Sequence, residues 1–546
     1  MEVEKITCDV LCVGGGIAGL MAAIEAADNG AKVVVAEKAY TERSGAGGMG
    51  NDHFHCYIPE VHGDYSEFAK DLYYGQMAGK ISEIGKEAAD FWFQNTFDII
   101  KLWDKWGIPM KYEGRYEFAG HSFKGQILNH LKYSGENQKP VLTKQARERG
   151  VTIINRVMIY DLIKDENGVV GALGISTRED KLYEFDAKAV ILATGLGTRM
   201  YPSATLHDFN RPFPATNTCD GRAMAYRAGA DLMNIELTSR HAGPKYYNRA
   251  GQATWIGVLR NRQGKPVGPF MTEPDRYYSD MTTEVNKSIF ADYIKQGKGP
   301  IYMDGRGMSN DDLAYVNHWL LQEGNGGLLN HLEEEGIDLR KHPVEFMTFD
   351  MCCWSGIPYN KNGETSVEGL YAAGDESMGG ISCAAVFGRS AGKNASVYAG
   401  RRTASKSNAL EKSTSMAKTE IEELRKRKEG PKWQETSQAL QQIMRDYAES
   451  VRCEDGLQAG LVNLYRLKTK AHERLVAENS HELMHCLEVF NLIDIGQLIF
   501  TGALDRKETR GANHIRPDYP ITNPILTGKA HLARKNYDGS PMFVWK

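Results

Sequence analysis

Residues Cys8–Lys38 read CDVLCVGGGIAGLMAAIEAADNGAKVVVAEK, and the order of apolar, glycine and charged positions in this stretch decides the fold. Val10–Val13 predicts a strand buried on both faces, and Ile17–Asn29 a helix closed by Gly30. A second strand is predicted over Lys32–Ala36. Between the first strand and the helix, Gly14 permits a sharp turn, Gly16 lets backbone N–H groups approach a pyrophosphate, and Gly19 allows close helix–strand packing. N–H groups at such a helix start favour anions. Glu37 ends the second strand, where a carboxylate accepts hydrogen bonds from a ribose diol and disfavours a 2′-phosphate. Strand, turn, helix, strand and terminal acid together predict a dinucleotide site.

Working outward, 546 residues predict two to four structural units. The chain is 42% hydrophobic and 25% charged, with 66 basic and 70 acidic residues and a net charge of −4, which argues against a nucleic-acid binder acting through bulk charge. No apolar run reaches the roughly 18 residues of a membrane span, and MEVEKITCDV lacks the pattern of a secretory signal, so a cytoplasmic protein without membrane insertion is expected. Nine scattered cysteines suit reduced thiols, and Cys8 and Cys12 read as small core residues of a strand. Iron–sulfur spacing is missing, so any such cluster is expected on another chain.

Downstream, Arg43–Asn51 (RSGAGGMGN) is too glycine-rich for a helix and suits backbone passing close to a flat ligand. His53 and His55 follow in HFHC; two ligands without a third give no metal assignment. Residues 65 to 107 predict helix, Lys139-Pro140-Val141-Leu142 a further helix start, and Val151–Ile154 a strand. Val157–Phe185 reads as a hairpin about Glu166-Asn167-Gly168. Ala187–Ala193 is a buried strand whose end, Ala193-Thr194-Gly195, returns the chain beneath the same cofactor, and Asp220–Ala230 is a helix closed by Gly229. The rhythm of strand and helix lapses between Asp231 and about Lys341, as for an inserted unit. It resumes at Leu370–Ala373, followed by the Gly374-Asp375 turn and a helix over Ala384–Tyr398. Asp375 is a candidate for the sugar alcohol of a flavin, with a helix cap as the alternative; a helix N-terminus placed near Arg389, Ser390 and Ala391 would face the flavin N1/O2 edge. Residues 405 to 447 and Leu457–Leu498 predict helices, broken at Glu429-Gly430-Pro431; Arg506–Lys546 shows little periodicity and must be held by packing or another chain.

These segments resemble the FAD-binding flavoprotein subunits of the succinate dehydrogenase and fumarate reductase family. The resemblance rests on Gly14–Gly19 with Glu37, Arg43–Gly50, Asp220–Ala230, GPIYMD at Gly299–Asp304, Gly369–Asn394 and RKETRGANHIRPDYP at Arg506–Pro520. Within the family the chain is similar to adenylylsulfate reductase alpha subunits through Arg43–Ala46, Gly135–Pro140 and Cys352-Cys353. The implied fold is α/β: a Rossmann-type FAD-binding domain (1–230 and 344–404) with an inserted capping domain (231–343), then a helical domain (405–500) and a C-terminal segment (501–546). The implied cofactor contacts add Ile17, Ala18, Lys38, Ser44, Gly45, Gly48, Asn51 and Asp220 to the residues above. FAD is expected to be noncovalent, because Gly45 stands where relatives carry an attaching histidine. An iron–sulfur, ferredoxin-like partner in a hetero-oligomer and a small anionic substrate are also implied.

The family's substrate residues do not carry over intact. Thr282-Thr283-Glu284-Val285 replaces a stretch that holds an arginine in fumarate reductases, and Phe349-Asp350-Met351-Cys352 lacks their histidine. For the nucleotide-binding residues of adenylylsulfate reductase, the corresponding positions are Phe213 or Pro214, one of Arg240, Gly243 and Lys245, and Phe349. The candidates on the substrate side are Arg389, Arg240, His241 and Lys245, with His53 and His55, since guanidinium and ammonium groups grip carboxylates or phosphates. Each also suits an ordinary ion pair. Cys352-Cys353 reads as two small side chains packed under the flavin, with redox work as the alternative. The reactions to separate are adenylylsulfate-type reduction, fumarate-type C=C reduction, and electron relay without a small substrate.

Overall fold

The computed structural model describes the chain except residues 75–84, 121, 123, 204–210, 212, 246–254, 269–270, 279–289, 291–292, 294–295, 354, 378, 404–407 and 512, and except the side chains of 239–241 and 349–353. Its centre is a seven-stranded sheet of β1 (Glu2–Val13), β2 (Val33–Glu37), β6 (Thr152–Asn155), β7 (Val157–Asp165), β8 (Gly168–Ser176), β9 (Lys181–Leu192) and β15 (Leu370–Ala372), in the order β6-β2-β1-β9-β8-β7 with β15 joined to β9. Strand β1 pairs in parallel with β2 and β9, so Val10–Val13 is buried on both faces, as its unbroken apolar run requires. The first half of β9 pairs with β8, while Val190–Leu192 pairs in parallel with β15. The late segment therefore comes back beside the first at the carboxyl ends of the strands, where ligands of open α/β sheets bind.

Helix α1 (Ile17–Asp28) lies along α8 (Ile381–Arg401), with α3 (Lys86–Trp106) and α4 (Gln138–Glu148) beside them. The seam is close because glycines of α8 oppose alanines of α1. A β-carbon at Gly388 would strike the Ala18 carbonyl, and one at Gly392 the Ala22 carbonyl. Between them in sequence, α5 (Asp220–Ala228) packs on β7, while α2 (Tyr65–Tyr74) sets Phe68 against Phe93 of α3.

Two small sheets sit above the strand ends. β3 (His53–His55), β4 (Glu117–Phe118) and β5 (His130–Lys132) form one in the order β3-β5-β4. The other runs β11-β14-β13-β12, from β11 (Thr238–Pro244), β12 (Val258–Arg260), β13 (Ile301–Asp304) and β14 (Val344–Cys353). With α6 (Asn310–Gln322) and α7 (Gly326–Glu334) it encloses a second core around Trp255, Met303, Trp319 and Phe346.

The C-terminal bundle contains α9 (Ala409–Lys426), α10 (Trp433–Tyr447), α11 (Glu454–Arg474) and α12 (Ser480–Asp505), with the predicted break between α9 and α10. Against the sequence expectation, α12 is long and apolar enough to cross a membrane; 72% of its most apolar window is nevertheless buried inside the protein, as befits the central helix of a bundle. The tail also departs from its reading as aperiodic. Strands β16 (His531–Lys535) and β17 (Pro541–Trp545) form a hairpin that pairs with β10 (Leu232–Met233). Beneath it, fully buried Arg506 donates to Glu236 (2.5 Å), Glu508 (2.8 Å) and Asn234 (3.0 Å), while His531 bridges Glu236 and Asp505. Burial alone would raise the Glu236 pKa, but Arg506 and His531 pull it far below the carboxylate range. Arg506→Met should cost about 3–5 kcal/mol, because it strands buried carboxylates. Urea unfolding of the flavin-loaded protein measures this, and a change within about 0.5 kcal/mol, typical of an inconsequential surface site, would contradict the arrangement.

Candidate functional site

The strand ends converge on the glycine turn. Gly14 has φ +98°, and a β-carbon there would run into the Ala193 carbonyl; one at Gly19 would run into the carbonyl of Gly14. Gly16 differs: the nearest atom to its β-carbon position is 4.0 Å away, so this face of the turn is open. Helix α1 has no side-chain cap, which leaves its first N–H groups for a ligand. Buried Glu37 accepts from the N–H groups of Gly15 and Ala39 (2.7 Å each), which fixes its carboxylate beside the turn while lone pairs remain for a diol. The Arg43–Gly50 loop crosses this face, with Gly45 next to Gly16, and the Ser44 hydroxyl is buried without a protein partner. A cradle with an open glycine face and an orphaned hydroxyl fits a dinucleotide such as FAD.

On the far side, Thr194 donates through its N–H and hydroxyl to one oxygen of Glu376 (2.7 and 2.6 Å) and accepts from Gly221 N–H. The other Glu376 oxygen is buried without a partner, and burial raises its pKa despite the Arg222 guanidinium. Gly195 and Gly374 have positive φ, and a β-carbon at Gly374 would lie 2.9 Å from that of Ala18, so the late turn presses on the early helix. Asp375 accepts from the N–H of Gly380, a local cap at the start of α8.

Several sequence assignments fall elsewhere. Helix α8 begins at Ile381, so Arg389, Ser390 and Ala391 lie in its third turn and not at its N-terminus. Gly388 locks this part of α8 against α1, and Arg389 donates to Glu25 (2.8 Å), away from the cofactor turn; Ser390 donates to the Lys361 carbonyl and Ala391 is fully buried. The helix start is formed by Gly380, Ile381 and Ser382, with Ser382 accepting from Trp92. Lys38 and Asp220 are engaged with protein groups at the end of β2. The Lys38 ammonium bonds the Thr216 carbonyl, Thr218, Asp220 and Glu488, and Asp220 accepts further from Asn491. Glu488 also pairs with Arg199 and His485, so this network ties the sheet to α12. Asn51 donates to the His53 carbonyl (2.9 Å), steadying the entry to β3.

Directly after the loop comes a buried polar cluster for which the sequence provided only the histidines. Asp52 bonds His53 (2.6 Å) and Lys132 (2.5 Å), and Glu323, at the end of α6, lies 3.7 Å from His53. Burial would raise the Asp52 pKa, yet Lys132 and His53 hold it well below the carboxylate range. The rings of His55 and His130 stand 3.7 Å apart, and His55 lies 6.1 Å from Trp92. Asp52, His53 and Glu323 are close enough for a metal, but the Lys132 ammonium already neutralises Asp52. The cluster thus joins the floor of the cofactor cradle to α6 above it.

Of the other substrate candidates, Lys245 is paired with Glu345 (3.0 Å). The backbone puts Arg240 opposite Asp350 and His241 opposite Phe349, with Thr238 opposite Cys353. The side chains of Arg240, His241, Phe349, Cys352 and Cys353 lie outside the described ones, as do residues Thr282–Val285 altogether. Phe213 and Gly243 are described, with Gly243 opposite Met347. Sequence reasoning missed Glu376, Arg222, Asp52, Lys132 and Glu323; the charged Asp375-Glu376 pair inside an apolar segment was the available signal for the first.

Sheet, cradle and paired glycine segments define a two-part dinucleotide-binding oxidoreductase scaffold. Residues 9–388 match the FAD binding domain family and 437–540 the fumarate reductase flavoprotein C-terminal family. The chain belongs to the succinate dehydrogenase and fumarate reductase flavoproteins, and it is an FAD-dependent oxidoreductase. Over the whole of both chains it is 26% identical to one of the subunits of the CoM/CoB fumarate reductase of Methanothermobacter marburgensis. Its fold matches adenylylsulfate reductase of Archaeoglobus fulgidus (TM-score 0.82, 24% identity, covering 100% of this chain and 96% of that one). It also matches the E. coli quinol fumarate reductase flavoprotein FrdA (0.85, 20% identity, 100% and 97%).

Two substitutions at the turn should behave differently. Gly16→Val should fold and lose FAD, since its side chain enters the open face, whereas Gly14→Val should lose both FAD and stability, since Gly14 is left-handed and pressed on Ala193. Flavin absorbance and thermal melts separate these outcomes; a yellow Gly16→Val protein refutes the cradle. Arg389→Ala should leave steady-state kinetics unchanged and shift stability by less than about 1 kcal/mol, the usual worth of a half-exposed ion pair. A clear loss of turnover would return Arg389 to the reaction.

Proposed function

We propose that this chain is the flavoprotein component of a two-protein, cytoplasmic oxidoreductase. It would exchange electrons between an iron–sulfur, ferredoxin-like partner and a small anionic substrate held beneath residues 231–343, with adenylylsulfate the first substrate to test. FAD, held noncovalently, supplies the two-electron centre. The chain's own residues hold the anion, keep water out and orient the groups that move protons.

The observation that carries this reading is the β11–β14 ladder. It brings Arg240 and His241 down to the junction with the cofactor half, because Thr238 pairs with Cys353 and the chain rejoins the core at Ile357, whose N–H bonds the Glu376 carbonyl (2.8 Å). Cys353 and Gly356 are three residues apart, at most about 10 Å of chain. With Arg389 engaged by Glu25 and Lys245 by Glu345, these strand positions are, with His53 and His55, the remaining sequence candidates. Lys132, His53 and Glu323 connect the cofactor loop's end to α6 of the inserted unit. The M. marburgensis relative is one chain of a fumarate reductase, which supports a partner chain and makes fumarate the second substrate to test.

The test is stopped-flow reoxidation of chemically reduced protein by adenylylsulfate and fumarate, with sulfite plus AMP, and succinate, tried as reductants of the oxidised form. Adenylylsulfate or sulfite activity supports the first reading, and fumarate or succinate activity replaces it with C=C chemistry. Arg240→Ala should raise KM for the active anion about tenfold or more, the cost of a lost charge-assisted contact. Inertness toward all four, together with fast exchange with a reduced ferredoxin, would leave an electron relay and overturn the small-substrate assignment.

A further inference from the structure

The first turn of α4 carries two buried polar side chains that the cofactor assignment does not use. Gln138 accepts from the Tyr133 hydroxyl (2.7 Å) and donates to the Gly47 carbonyl (3.0 Å). Lys139, 1% exposed, donates to the carbonyl of Gly15. One short segment therefore braces both glycine loops of the cradle, the early turn through Lys139 and the crossing loop through Gln138. Tyr133 and Gln138 satisfy each other. Lys139 does not reach such a balance: an ammonium has three donors, and Gly15 is its sole hydrogen-bond acceptor among the described residues. A buried cation with two unused donors is costly unless a ligand completes it.

We propose that Lys139 completes its hydrogen bonding with the pyrophosphate of FAD, as an ammonium that reaches over the Gly14–Gly16 turn from α4. The geometry limits the alternatives. The side chain is too buried to serve solvent or a partner chain, and the turn beneath it already presents the helix N–H groups that attract phosphate. Glu37 on β2 is the charged group that acts on Lys139, and its two oxygens are held by Gly15 and Ala39; α1, the turn and the crossing loop contribute backbone and apolar or amide groups. Burial draws the Lys139 pKa down to about 8, with Glu37 pulling the other way. A phosphate oxygen at the ammonium restores the charged form. FAD binding then needs no proton below about pH 8 and takes one up above it, so affinity declines as pH rises past that value.

The test uses full-length protein stripped of flavin and compares wild type, Lys139→Met and Lys139→Arg. Circular dichroism establishes folding first. Binding of FAD, ADP and adenosine is then titrated between pH 7 and pH 9.5. At pH 7, Lys139→Met should weaken FAD and ADP about tenfold or more, equivalent to one charge-assisted contact, and leave adenosine unchanged. It should also flatten the decline of FAD affinity with pH, while Lys139→Arg restores binding without that decline, since guanidinium stays charged. Equal weakening of ADP and adenosine, an unchanged FAD affinity in Lys139→Met, or the same pH slope in all three proteins would overturn the proposal. Should Lys139→Met fail to fold, Lys139→Arg decides alone, through retention or loss of the slope.

Discussion

Everything in the molecule depends on how tightly β1 and β9 approach each other above Gly14. The two strands run parallel from Glu2–Lys181 to Val13–Leu192, and at their shared end the Ala193 carbonyl occupies the space a side chain on Gly14 would need. Gly19 repeats the condition one helical turn later. Contact this close sets α1 at a fixed height over the sheet, and α1 in turn sets α8, because Gly388 and Gly392 admit the backbone of Ala18 and Ala22. A cofactor cradle of two remote segments can then be built to sub-ångström tolerance from small residues alone, since interiors pack at near-crystalline density.

Charge is the second organising element, through a few buried arrays. Lys38, Asp220, Glu488 and Arg199 form one buried array, and Glu236, Arg506, Glu508 and His531 another. The first joins α12 to the end of β2 and to α5, and the second joins the C-terminal residues to the segment after β10. Such arrays add little over apolar packing in net stability, but any wrong docking leaves a charge stranded, so they select one arrangement of the bundle. Asp52 with Lys132 and His53 has the same form at a different place, between the cofactor loop and α6.

Local signals made the nucleotide-binding half legible. The turn, α1 and α5 lie within a residue or two of their predicted limits, and the hairpin turns about Glu166–Gly168 as predicted, although its expected far end at Phe185 belongs to β9 and β8 stops at Ser176, because periodicity and glycine position act over a few residues. The α8 start is read wrongly for an equally local reason. Ala384 onward is strongly helix-forming, so the pattern hides that Gly380 is the break and Ile381 the first helical residue, and Arg389 moves from a ligand-facing end to a helix seam. The tail was illegible because the first of its two five-residue strands pairs with Leu232-Met233, nearly three hundred residues earlier. Arg240 and Asp350 meet over a gap of about a hundred residues that no periodicity reports.

The hairpin at the end of the chain has a consequence for biosynthesis. Glu236 precedes its partners Arg506 and His531 by 270 and 295 residues, so it is translated long before them. Until those residues leave the ribosome, the carboxylate has no counter-charge and its surroundings must stay hydrated. The segment after β10 therefore reaches its final packing only once Arg506 and His531 have emerged and docked on it.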